Sequence, residues 1–368
     1  MKKPVLTPLA ESLPATVPFV GPEAAERAMG HPFKARLGAN ESVFGPSPKV
    51  IQAIEKSSEE LWMYGDPESH DLRIALAKQL NVQSDEVVVG EGIDGLLGYA
   101  VRLFSGPGDT VVTSDGAYPT FNYHVAGYGA QLVKIPYKND FEDAVGLAAK
   151  AHETGARMVY FANPDNPMGS VHDAAVVQQL IDALPDQCLL VLDEAYIEFA
   201  PDGSSPPIDT SNPQVIRMRT FSKGYGLAGA RVGYAIGHRD TIKAFEKVRN
   251  HFGMNRAAQI GAIAALDDQE YLSSVRETVA AGRKRIAEIA RQNGLLALPS
   301  ATNFVTIDCG KDAAFAKSVL DALVARGLFV RMPFAEPGNR CIRISVGHNE
   351  DLDLFEQLLP IALKEATG

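Results

Sequence analysis

Lys223 sits in Thr220-Phe221-Ser222-Lys223, and Arg231 follows eight residues later in Gly229-Ala230-Arg231-Val232-Gly233. A lysine between small hydroxyl residues and glycines, just past the apolar and basic run 215–219, has the surroundings of a nucleophilic amine at a strand end, one able to form a Schiff base. A solvated surface lysine is the plain alternative, since lysines are mostly exposed. A second cluster, Gly90-Glu91-Gly92-Ile93-Asp94-Gly95, lies between the β-branched run 86–89 and the apolar-periodic Leu96, Leu97, Ala100, Val101 and Phe104. Glycines between a strand and a helix let a ligand approach the backbone, and the helix's unpaired N–H groups favour a phosphate. The same spacing fits a dinucleotide fingerprint with Asp109 as the ribose-binding acid, or simply a tight turn. In Asn163-Pro164-Asp165-Asn166-Pro167-Met168-Gly169, two Asn-Pro steps force extended backbone and fix the asparagine amides, although a rigid crossover turn would use the same string. Asp193, in Asp193-Glu194-Ala195-Tyr196, ends an apolar run. If buried there it needs a positive partner, unless it caps a helix.

These side chains need a scaffold, and the sequence indicates which. From about residue 72 to 248, short apolar runs at 86–89, 109–113, 131–135, 158–161, 189–192 and 215–219 alternate with helical patterns. Continuous apolar strands alternating with helices predict a mostly parallel sheet covered on both faces, with ligands beyond the strands' carboxyl ends. A helix is expected over 48–61, and the proline-rich segment before it reads as an arm without sustained periodicity. After about residue 240 the texture changes to long helices, 272–293 and 313–326, with strands at 303–308, 328–331 and 341–346, which reads as a smaller α+β lobe. The α/β chain thus divides into an arm at 1–48 contributing to the small domain, a large domain at 49–248 and a small C-terminal domain at 249–368.

The 368 residues carry a formal net charge of −10, which argues against a nucleic-acid partner or an anionic membrane surface. Any anionic ligand must be caught by a few local cations and backbone donors. Three widely spaced cysteines, Cys188, Cys309 and Cys341, fit neither a disulfide framework nor a metal site, so a reduced, cytoplasmic protein without bound metal is expected. Met1-Lys2-Lys3 lacks the apolar stretch of a signal peptide behind it, and no run is apolar enough to span a bilayer.

A phosphate cup, a buried carboxylate, an amide donor and an imine-forming lysine are the requirements of pyridoxal 5′-phosphate, an electron sink only while its ring nitrogen stays protonated against an acid. The ordered motifs NPDNPMG, DEAY, TFSKGYGLAGARVGY and IRISVG, behind LGANESVFGPSP at 37–48, resemble the fold-type I pyridoxal-phosphate aminotransferases. They look most like the histidinol-phosphate aminotransferase group, over essentially the whole length from residue 37. The resemblance implies that fold, a large domain with a mostly parallel sheet plus a smaller α+β domain, and a homodimer with shared active sites.

Carried over by position, the resemblance implies Lys223 as the Schiff-base lysine and general base, and Asp193 as partner of the ring nitrogen. Asn166 and Tyr196 would bond the phenolic oxygen, Phe121 would stack on the ring, and Thr220, Ser222, Arg231 and the backbone of Gly92, Ile93 and Asp94 would surround the phosphate. Tyr64 would reach the phosphate of the neighbouring subunit. Arg343 matches the arginine that grips the substrate carboxylate, Arg331 a second arginine near the substrate's anionic end, and Asn40 falls among the substrate-side positions. At the place where a tyrosine of the histidinol-phosphate enzymes meets substrate phosphate stands Phe252, followed by Asn255, a pairing that resembles the aromatic amino-acid aminotransferases. Gly65 replaces a frequent proline, Gly95 a usual acid and Met168 a threonine.

The expected reaction is transfer of an amino group between a donor with an imidazole or aromatic side chain (histidinol phosphate, phenylalanine or tyrosine) and 2-oxoglutarate. A decarboxylase similar to threonine-phosphate decarboxylase would share every cofactor residue. A nicotinamide (NAD) dehydrogenase would leave Lys223 and Asp193 unexplained, and a ligand-responsive regulator would need a DNA-binding domain that is not visible.

Overall fold

The computed structural model describes residues 4–15 and 21–367. The basic tip Met1-Lys2-Lys3 lies outside them. Seven strands form the central sheet: β2 (Val87–Gly90), β3 (Thr110–Ser114), β4 (Gln131–Ile135), β5 (Met158–Ala162), β6 (Leu189–Asp193), β7 (Val215–Thr220) and β8 (Gly233–Gly237). Their order is β2-β8-β7-β6-β5-β3-β4. β3 to β7 pair in parallel, whereas β8 runs antiparallel to both of its neighbours. Every residue of β5 and β6 is buried, as two-sided coverage by helices requires. Alternate residues face opposite cores: Met158 and Tyr160 pack with the helix Gly92–Phe104, Val159 and Phe161 with Leu147 and Val177 on the other side.

A second core gathers around β9 (Leu296–Ala297), β10 (Phe304–Asp308) and β12 (Cys341–Ser345), an antiparallel sheet packed by the helices Gln269–Gln292, Ala313–Ala325 and Asn349–Thr367. The arm joins this lobe, because β1 (Ala35–Arg36) pairs in parallel with β11 (Leu328–Phe329). Arg340 ties the lobes together at one edge, reaching Asp140 at 2.9 Å and Asp308 at 2.7 Å. Among the described residues no helix is long and apolar enough to cross a membrane.

Several sequence expectations need correction. The arm is more regular than its composition suggests, with helices at Pro8–Ser12 and Pro22–Met29, each opened by a proline whose missing N–H is no loss at that position. The helix expected over 48–61 stops at Ser57 and continues as a 3-10 turn, Ser58–Glu60. The helix of the glycine cluster starts at Gly92 rather than Leu96. β8 was not anticipated, and the strand expected at 328–331 is only Leu328–Phe329 plus an isolated bridge between Arg331 and Arg343. The helix Arg256–Leu266 shares a core with Val50 and Leu72 of the large sheet's cover.

Candidate active site

The carboxyl ends of β5, β6 and β7 and the start of the helix Gly92–Phe104 converge with the arm and β12. Asp193 ends β6, level with Ala162 on β5 and Met218 on β7. Its carboxylate accepts from the Tyr160 hydroxyl at 2.7 Å and from Ala195 N at 2.9 Å. No cation pairs with it among the described residues, and burial pushes its pKa up to about 6. Tyr160 lies flat against Phe121, ring centroids 4.5 Å apart at 19°, so the predicted stacking residue is the fully buried wall behind the tyrosine that holds the acid.

Lys223 lies three residues beyond β7. Burial, followed by the nearby Arg343 charge, brings its pKa down to about 8, and it makes no ion pair among the described residues. Its Nζ donates to Asn40 O at 3.0 Å and stands 5.6 Å from the Tyr196 ring centroid. The Tyr196 hydroxyl accepts from Asn40 Nδ2 at 3.1 Å, and burial moves its pKa up to about 12. Arg343 donates to Asn166 Oδ1 and, at 3.2 Å, to Gly38 O, with its guanidinium over the Phe304 ring. Its Nε is buried without a hydrogen-bond partner among the described residues, and burial lowers its pKa to about 10. Arg331 joins Arg343 through the backbone, Arg343 N donating to Arg331 O at 2.6 Å, and its own guanidinium lies over Phe329. Lys223, Asn40, Tyr196, Asn166, Arg343 and Arg331 are therefore connected, although they come from the arm, three strand ends and the small lobe.

The glycine cluster forms a tight cup. Gly92 has φ +74°, and a Cβ there would collide with the Arg231 guanidinium. From the other side Gly233 abuts it, since a Cβ would stand 2.6 Å from Gly92 C and 2.7 Å from Ile93 N. Arg231 itself adopts φ 58°, its Nη1 reaching Ser222 Oγ at 3.5 Å and its Nη2 lying 4.0 Å from Asp94. Thr220 Oγ1 accepts from Ser222 N at 3.0 Å and donates to Val232 O at 3.1 Å, holding the turn before Lys223. Backbone donors of a helix start, a hydroxyl and a guanidinium thus meet where a phosphate would fit.

Three predicted residues stand apart from this cluster. Tyr64 is 79% exposed and Phe252 54% exposed, and their rings meet at 4.9 Å on the surface. Asn255 caps the helix Arg256–Leu266, its Oδ1 accepting from Ala258 N at 2.8 Å. Residues that sequence reasoning passed over include Tyr160, Tyr118, whose hydroxyl donates to Asp94 Oδ1 at 2.9 Å, and Asn303, whose Nδ2 donates to Asn40 O at 3.0 Å. The available signals were faint: Tyr160 is the one hydroxyl in the strand MVYFA, and Asn303 the one amide at the edge of an apolar strand.

Comparison with known proteins agrees with this geometry. Residues 34–355 match the family model described as aminotransferase class I and II. A histidinol-phosphate aminotransferase of Roseiflexus castenholzii is 34% identical over 96% of this chain and 97% of its own length. An aromatic amino acid aminotransferase of Nocardia farcinica is 33% identical over 95% of each. The crystal structure of histidinol-phosphate aminotransferase from Sinorhizobium meliloti in complex with pyridoxal-5′-phosphate superposes with a TM-score of 0.95 at 53% identity, covering 98% of this chain and 97% of that one. With a match across most of its length and relatives similar over nearly the whole chain, this chain belongs to the class I and II aminotransferases.

Proposed function

We propose that this protein moves an amino group between a donor with an imidazole or aromatic side chain and 2-oxoglutarate, with pyridoxal 5′-phosphate seated between Lys223 and Asp193. The observation that carries this reading is a pair of buried, unmatched groups: an acid without a cation and a lysine without an acid. A ring with a basic nitrogen at one end and an aldehyde at the other answers both. The cup formed by Gly92, Ile93, Asp94, Ser222 and Arg231 suits the phosphate.

When bound, the cofactor supplies an electron sink for the pair released as the substrate Cα loses its proton. Lys223 would hold the cofactor through its Nζ and, as a free amine, would carry the proton from the substrate Cα to the cofactor carbon that is left bearing the amino group. A pKa near 8 leaves part of the amine unprotonated at neutral pH, as a general base requires. Asp193, held by Tyr160, keeps the ring nitrogen protonated. Tyr196 and Asn166 would hydrogen-bond the phenolic oxygen, and Phe121, stacked on Tyr160, backs the tyrosine that holds the acid. Arg343 offers its unpaired Nε to the substrate carboxylate, with Arg331 beside it for a second anionic group.

The identity of the donor is supported by the relatives, which include histidinol-phosphate and aromatic amino acid aminotransferases. Phe252 has no hydroxyl for a phosphate, which leans toward phenylalanine or tyrosine. The exposed rings of Tyr64 and Phe252, with Leu61 and Trp62 also exposed beside Tyr64, support a homodimer in which each subunit lends these residues to the other. A cytoplasmic location, consistent with three buried free cysteines, belongs to the same reading. So does a division into a lobe at 49–248 that holds the cofactor and a smaller lobe made by 1–48 and 249–368. The test is to supply the cofactor, reduce with borohydride and locate the adduct, then follow glutamate formation from 2-oxoglutarate with histidinol phosphate, phenylalanine and tyrosine in turn. An adduct at Lys223 and glutamate with at least one donor are expected; label elsewhere, or carbon dioxide release without a need for 2-oxoglutarate, overturns the proposal.

A further inference from the structure

Glu91 immediately precedes the helix Gly92–Phe104, where a short polar side chain would cap the first turn, yet it makes no capping bond. Its carboxylate turns away from the cup and accepts from the Tyr99 hydroxyl, 3.1 Å from Oε1 and 3.3 Å from Oε2. The Tyr99 oxygen in turn accepts from Asn250 N at 3.0 Å. Asn250 organises the next residues, since its Oδ1 accepts from Phe252 N at 3.3 Å and its carbonyl from Gly253 N at 3.2 Å.

Gly253 shows how close the packing is. A Cβ there would coincide with Glu91 Oε1, and the three nearest atoms all belong to Glu91. Gly253 is not among the residues with positive φ, so its backbone would accept a side chain. The Glu91 carboxylate is the nearest obstacle to one. Across the loop, Gly65 is seated in the same manner, with a Cβ falling 2.6 Å from Gln259 Nε2 and 2.9 Å from Met254 O. The exposed Tyr64 and Phe252 rings therefore meet between two loops, each closely packed at a glycine.

We propose that Glu91 is a positioning residue that seats loop 250–255 against the edge of the phosphate cup and thereby sets where Phe252 and Tyr64 stand toward the donor. The donor part rests on the function proposed above; the seating does not. Trp62 is the chain's single tryptophan, 82% exposed and two residues from Tyr64, so its emission reports the arrangement of this surface without any turnover.

The experiment is a double-mutant cycle on the purified holoenzyme using Glu91→Ala, Gly253→Ala and both together, with Tyr99→Phe as a gentler variant. Gly253→Ala is expected to alter Trp62 emission and raise the donor KM, while adding little in the Glu91→Ala background, where the obstructing carboxylate is gone. Tyr99→Phe is expected to raise the donor KM about fivefold, the scale of one hydrogen bond, with a smaller change in kcat. A merely structural contact would not separate KM from kcat in this way. Equal damage from Gly253→Ala with and without Glu91 overturns the seating, and so does Trp62 emission unchanged in every variant. A cycle coupled in emission but flat in donor KM overturns the role in donor placement, and that result is distinct from an enzyme that transaminates no donor at all.

Discussion

Asn40 and Ser345 clasp one another across the two ends of the chain. Asn40 N donates to Ser345 Oγ at 3.1 Å, and that hydroxyl donates back to Asn40 Oδ1 at 3.0 Å. The clasp holds Asn40 at φ 57°, leaving its amide nitrogen for Tyr196 and its carbonyl for Lys223. Residues 305 positions apart in sequence thus decide where the Lys223 amine points.

Ser345→Ala removes the clasp without touching either reactive side chain. We expect kcat/KM to fall about tenfold, the upper range for one buried hydrogen bond, with the secondary structure intact. Steady-state kinetics beside circular dichroism check this, and unchanged kinetics would show that Asn40 needs no such support.

Asp193→Asn should separate stability from reactivity. The acid's folded pKa, about 6, lies above its ordinary 3.8, so its favourable contribution is complete below about 3.8 and lost as pH climbs through 6. At pH 7 the cofactor-free variant should be more stable by on the order of 1–2 kcal/mol, while kcat/KM of the holoenzyme drops on the order of a hundredfold or more for want of the ring nitrogen's partner. Urea denaturation and initial rates measure the two effects.

Lys223→Met carries the opposite pH signature. Here the folded pKa, about 8, lies below the ordinary 10.5, so the cofactor-free parent gains stability as pH rises from 8 to 10.5. The variant should therefore be the more stable protein at pH 7, by on the order of 1–2 kcal/mol, and the gap should close near pH 10.5. A gap independent of pH would place its origin in packing rather than charge.

Glu194→Gln should damage the fold itself. Burial works to raise this carboxyl's pKa, yet the charges of Arg219 and Arg217, at 2.8 and 2.7 Å, bring it down to about 2. Its contribution is present above the ordinary 4.5 and lost as pH falls from there toward 2. Removing the charge leaves the buried Arg217 and the partly buried Arg219 short of an anion and should cost about 3–5 kcal/mol, read by denaturant unfolding at pH 7.

Phe252→Tyr supplies the hydroxyl absent from loop 250–255. Preference for histidinol phosphate over phenylalanine should rise by on the order of 1 kcal/mol in relative kcat/KM, the net scale of a single hydrogen bond. An unchanged preference would show that the ring does not meet the donor's phosphate.

Much of the large sheet was legible because β5 and β6 are buried on both faces and so read as unbroken apolar runs. β8 escaped notice because glycines, Gly233 and Gly237, stand at both of its ends, directly behind the loop that carries Lys223 and Arg231. The strand in the arm was illegible for a different reason: Ala35 and Arg36 are a strand only by virtue of Leu328 and Phe329, nearly three hundred residues onward, and no local pattern records that pairing. Lys223, Asp193 and Asn166 could be picked out because each ends a strand or lies in the loop beyond one. Tyr160 could not, because inside a fully buried strand an aromatic residue with a hydroxyl looks like any other core residue.

Asp193 and Glu194 are neighbours in sequence, and extended backbone sends them to opposite faces of the sheet. One meets the Tyr160 hydroxyl; the other is saturated by two guanidiniums. Sliding this strand by a single position past its partners would exchange them, quenching the proposed acid against arginine and stranding its neighbour in the cleft. The alignment of Ala162 and Met218 with Asp193 is consequently a condition of reactivity, and a misaligned chain would be chemically silent however well it packed.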